Sequence, residues 1–227
     1  DLEAELDEQV RFAEQAGPAL VAGRLARQRV ALFALGDLPD TETAEDAQRA
    51  IEAAGGELRS VAVLDLPPDL GELREAVAER LPAGTRDAPI RAERLGATLG
   101  RQLVTDGPLI EAVREQLFSR FNGDLTGIDR VVLVSVPPDE LQADLSGEGR
   151  AFQSALIRGI DSGAAGTVGA ERSGVEPTTV EPFSAAGIST VDNVDQPAGE
   201  VALVFALLGA QGDFGVGEGT EGLLPDL

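Results

Sequence analysis

The chain has 227 residues, 18 of them basic and 40 acidic, for a formal net charge of −22. With 43% hydrophobic and 26% charged residues it can bury a core, and its charge repels phosphate backbones and anionic lipid, so nucleic acid is excluded as a partner. Cys, His, Met, Trp and Tyr are absent and every basic residue is Arg, which removes thiolate clusters, imidazole triads, Walker-type lysines and Schiff bases. Carboxylate, hydroxyl, amide and guanidinium are what remain for chemistry. They point to no enzyme and to no resident cofactor.

Residues 1–27 read as a helix rich in Glu, Gln, Ala and Leu. Leu2, Leu6, Gln9, Ala13, Ala16 and Leu20 follow the four-three spacing of a coiled-coil seam, so the helix is expected to end a coiled coil and to join copies of the chain. Gly17-Pro18 is an expected interruption. Asp1 falls inside the helical pattern, and a further segment upstream is expected. No run of 18 apolar residues is present.

From residue 28 to 210 strands and helices alternate. Strands are predicted over 29–36, 58–66, 128–136, 166–170 and 188–191. Helices are predicted over 41–54, 69–81, 90–104, 109–121, 149–162 and 198–208, with loops at 37–39 and 82–89. The pattern specifies an α/β, Rossmann-like layered domain with right-handed crossovers and a mostly parallel sheet of about five strands. A glycine-rich tail, 211–227, is expected to lie on the surface.

Candidate sites are few. Gly212, Gly215, Gly217 and Gly219 mimic a phosphate-cradling loop, but they follow a helix and no helix opens behind them, so they do not make a nucleotide fingerprint. Asp192, Asn193 and Asp195 gather three oxygen-bearing side chains in one turn, a donor type suited to a hard cation. The same residues also build turns by accepting from nearby amides, and that role competes with a metal role. The acid runs Glu42, Glu45, Asp46 and Asp139, Glu140, Asp144 sit at expected helix starts and read as solvated faces.

The two ends of the chain carry a family likeness. Gly187-Ile188-Ser189-Thr190-Val191-Asp192-Asn193-Val194-Asp195, then Gly199 and the apolar helix, then Gly212-Asp213-Phe214-Gly215-Val216-Gly217, resemble the end of the mycobacterial copper transport protein B family. Phe12, Leu20, Gly23 and Leu25 ahead of the first strand agree. The resemblance implies a membrane anchor upstream of Asp1, a coiled coil, and an extracytoplasmic α/β domain in the cell envelope that serves copper transport or homeostasis. Relatives are also associated with cell separation, beside a membrane-anchored partner and peptidoglycan hydrolases. The alternative it implies is a non-enzymatic envelope interaction module. Copper itself meets a chemical objection: Cu(I) selects sulfur and Cu(II) prefers imidazole, and the chain has neither.

Overall fold

A computed structural model describes residues 2–36, 42–80, 90–135 and 147–225. Helix α1 (Leu2–Val21) leads into β1 (Arg29–Leu35), α2 (Glu42–Ala53), β2 (Glu57–Leu64) and α3 (Leu70–Arg80). Then come α4 (Ala92–Thr105), the short α5 (Pro108–Ala112) and α6 (Arg114–Leu117), β3 (Phe118–Gly123) and β4 (Arg130–Ser135). Finally, α7 (Gly147–Gly163), β5 (Gly166–Ala170), α8 (Glu181–Ser184), β6 (Ser189–Val191), α9 (Pro197–Leu207) and β7 (Asp213–Phe214) complete the described chain. The expected segments 37–39 and 82–89 and the acids Asp139, Glu140 and Asp144 lie outside the described residues.

The fold is α/β with a mostly parallel sheet, but the sheet has seven strands, in the order β3-β2-β1-β4-β5-β6-β7, rather than about five. Only β3 is antiparallel, paired with β2. Strand β1 alternates between two cores. Ala31, Phe33 and Leu35 face α3 to α8, whereas Val30, Leu32 and Ala34 face α1, α2 and α9. Burial on both sides explains why β1 and β4 read as unbroken apolar runs.

Other expectations change as well. The helix predicted over 109–121 breaks at Val113, and its end becomes β3. Residues 110, 113, 117 and 121 have helical spacing, but the chain meets the open edge of β2 there, and pairing Phe121 with Ala62 outweighs local preference. The tail adds β7, which pairs with Thr190 and Val191. The β6–α9–β7 connection has the hand opposite to β1–α2–β2 and β4–α7–β5, because α9 lies on the α2 face while the strands step away from β1. It is the rare left-handed crossover. Its helix is apolar all round and is buried between the sheet and α1, which fixes the face it takes.

Helix α1 continues through Pro18 to Val21. A Cβ added at Gly17 would lie 3.7 Å from the Pro197 carbonyl oxygen, Val21 is buried, and Arg24 sits 5.1 Å over the Phe205 ring. Phe12 and Leu20 are 73% and 41% exposed. The last turns of α1 therefore dock on their own domain through a face adjacent to the expected seam.

Helices α4 and α7 approach backbone to backbone. A Cβ at Gly96 or Gly100 would collide with the carbonyl oxygens of Phe152 and Leu156. Replacing Gly100 by Ala should therefore force the two helices apart and lower stability by about 2 kcal/mol or more. Urea unfolding followed by circular dichroism checks this, and an unchanged midpoint would contradict the close packing.

Candidate functional site

Glu171 directly follows β5 and Asp192 directly follows β6, so both sit at the carboxyl ends of parallel strands, where open α/β sheets place their ligands. There the chain encloses a cleft of about 860 Å³. One wall is the segment from Glu171 to Ala185, and the other is the tail from Asp213 to Thr220. Six acids line it: Glu171, Glu176, Glu181, Asp192, Asp213 and Glu218. The topological switch point is elsewhere, between β1 and β4, and the segments that follow those strands fall outside the described residues.

Three of the cleft acids, Asp192, Asp213 and Glu171, are bound by the chain's own donors. Asp192, 9% exposed, accepts from the Val216 amide at 2.8 Å through Oδ1 and from the Gly217 amide at 2.7 Å through Oδ2. A side chain at Gly215 would occupy the position of the Asp192 carboxylate, so the tail can come this close only as glycine. Asp213 accepts from Ser184 Oγ at 2.8 Å and Thr190 Oγ1 at 2.7 Å. Glu171, 5% exposed, accepts from Thr178 Oγ1 at 2.6 Å and from the amide and hydroxyl of Thr179 at 2.6 and 2.8 Å. Burial pushes the Glu171 carboxyl above the usual carboxylate range; the Thr178 and Thr179 bonds pull the other way, and nearby Asp192 adds to the rise.

The three cation candidates point to three different surroundings. Asp192 holds the tail. Asn193 is 1% exposed, and neither end of its amide has a hydrogen-bond partner among the described residues. Asp195 accepts from the amide and hydroxyl of Ser173, both at 2.7 Å. Partial burial works to raise its carboxyl, and the bonds from Ser173 and Gln196 outweigh it and hold the group below the usual range. Among the described residues no group of three or more acids is arranged to hold a metal ion.

Asp46, expected on a solvated face, is buried. It pairs with Arg49 and, at 3.0 Å, with Arg172, which also pairs with Glu42; Arg49 reaches Glu200 at 2.8 Å. This network ties α2 to the end of β5 and to α9. Glu171, Asp213 and Arg172 were not singled out by sequence. The signal that could have found Glu171 is its position one residue past a predicted parallel strand.

A protein-family model described as Copper transport outer membrane protein, MctB, matches residues 1–225. The chain belongs to the MctB family. No curated protein shows significant similarity to it. The family is named for copper transport in the envelope and not for an enzyme activity. Among the described residues no helix is long and apolar enough to cross a membrane.

The raised Glu171 carboxyl fixes a pH dependence. A folded-state value above the unfolded one gives stability that is fully present below the ordinary glutamate range and is lost as pH rises through the folded value. Glu171→Gln should therefore melt higher than the wild type at neutral pH, and the difference should vanish on acidification below the ordinary glutamate value. Thermal melts across that range check it. A variant less stable than the wild type at neutral pH would show that the hydrogen bonds to the carboxylate dominate.

Proposed function

We propose that this chain serves copper homeostasis as an extracytoplasmic domain that acts through contacts with another envelope protein and does not itself select copper. The observation that carries this is the donor set. A family named for copper transport here offers only oxygen donors, from carboxylate, hydroxyl, side-chain amide and backbone, in a chain without Cys, His or Met. Such oxygens suit hard cations and hold Cu(I) poorly. The most buried cleft carboxylates, Glu171 and Asp192, already accept from amides and hydroxyls of the chain. A cation entering there would have to displace charge-assisted hydrogen bonds, each worth about 1.5–3 kcal/mol.

The asymmetry of charge supports a protein partner. With 40 acids against 18 arginines, the surface attracts basic faces and repels anionic ones. An interaction module that assists transport, with the copper ligands on another chain, fits both the family and the chemistry.

Calorimetric titration with Cu(I) and with Cu(II), beside a Mg²⁺ control, tests this reading. The expected result is no saturable Cu(I) heat and only weak, unsaturated Cu(II) binding of the carboxylate kind. A one-to-one Cu(I) isotherm would show that the domain carries copper itself.

A further inference from the structure

The tail from Gly212 to Gly217 is held as a bound peptide is held, by contacts that read particular positions. Its strand β7 adds to the outer edge of β6, where the Thr190 and Asp192 amides donate to the Gly212 and Phe214 carbonyls, both at 3.1 Å. The Asp213 carboxylate takes the hydroxyls of Ser184 and Thr190. Phe214, 4% exposed, fills a slot in the core that faces α1, α2 and α9. Asp192 then accepts from the Val216 and Gly217 amides, and side chains at Gly215 and Gly217 would both run into its carboxylate. The Val216 side chain between them is 65% exposed. The groove therefore reads an extended segment of the pattern Asp-Phe-Gly-x-Gly.

Little else ties the tail down. Strand β7 is two residues long, whereas β1 pairs with β2 over seven. Past Gly217 the tail bonds mainly to itself: the Gly215 amide donates to the Gly222 carbonyl, the Glu221 amide to the Asp213 carbonyl and the Thr220 hydroxyl to the Gly217 carbonyl. Those bonds travel with it. Leu224 is half-buried against the core and Leu223 is 48% exposed. Gly212, at φ +142°, supplies a hinge where the tail meets β6. Strand β7 is also the one joined by the uncommon left-handed crossover, and the ladders from β3 to β6 do not involve it.

We propose that the tail is an autoinhibitory strap. It occupies a strand-accepting groove, made of the β6 edge, the Phe214 slot and the Asp192 carboxylate, which takes an extended Phe-Gly-x-Gly segment of a partner protein when the tail lifts. This rests on the reading of the chain as an interaction module and gives that module its contact surface. A segment seated there extends the sheet by one parallel strand: main-chain hydrogen bonds supply affinity, and the aromatic slot and the glycine requirement supply specificity. Asp192 recognises backbone amides, so the segment needs no positive charge. The tail competes as a tethered ligand at an effective concentration of the order of millimolar. A partner that is already held nearby by other contacts therefore displaces it, and a free segment at low concentration does not.

Hydrogen exchange of the full chain tests whether the strap lifts on its own. The amides of Thr190, Asp192, Val216 and Gly217 should exchange at least about tenfold faster than those of β1 and β4, once intrinsic rates are divided out. Equal protection would overturn the proposal, because the tail would then open only with the whole domain. Gly215→Ala in the full chain should unseat the tail and leave the groove free. A fluorescent peptide of residues 211–225 should bind this variant saturably, and the wild type at least about tenfold more weakly because its own tail competes. The same peptide carrying Gly215→Ala should not bind. A folded variant that takes the peptide no better than the wild type would also overturn the proposal; if the variant does not fold, the exchange comparison decides. Neither readout involves copper, so their failure is separate from failure of the copper titration.

Discussion

The carboxylate of Asp192 commits both oxygens to backbone amides of the tail, and the C-terminal half of the domain is arranged around that bond. Residue 192 directly follows β6, so its position is set by the parallel pairing of β5, β6 and β7. The amides of Val216 and Gly217 reach it because Gly215 has no side chain to collide with it. One wall of the cleft follows from this contact. The opposite wall is held in the same manner, by Glu171 on Thr178 and Thr179 and by Asp195 on Ser173. Burying two of these acids is costly, and the hydrogen bonds they accept are what make it tolerable.

That arrangement changes the meaning of the charge. An acid-rich protein from a family named for copper transport invites a reading in which carboxylates gather cations. Here the buried ones serve as acceptors for loops that have no regular ladder of their own. The exposed ones, such as Glu218 at the rim, are left to set the long-range field, which acts on the choice of partner and on association rate. Arginine is the only base, and it too is used in fixed geometry. Arg49 and Arg172 clamp Asp46 between α2, β5 and α9, where a planar, always-charged group suits a buried partner.

The parts of this fold that were legible in the sequence are those where one residue pattern has one physical solution. Strands β1 and β4 are short apolar runs closed by turns, and α9 is too apolar to be anything but buried. Strand β3 was not legible, because Ile110, Val113, Leu117 and Phe121 satisfy a helical period and only the open edge of β2 decides against it. The tail misled for a related reason: its glycines look like flexibility until Asp192 is seen to require them. The turn at 192–195 was found, but its side chains diverge, which spacing alone does not reveal. Glu171 is not legible in the sequence, since a single Glu after a short strand carries no motif.

Glu171 and Asp192, the buried cleft carboxylates, are engaged by the chain's own amides and hydroxyls, and on the proposed reading they are unavailable to copper. Nuclear magnetic resonance tests this most directly, by following the backbone amides of Val216 and Gly217 while the protein is titrated with Cu(I), the diamagnetic form. If Asp192 keeps its two donors, both amide resonances stay at their initial shifts throughout. A saturable movement of the pair would mean that the carboxylate has released the tail to take the metal, and the account would be wrong.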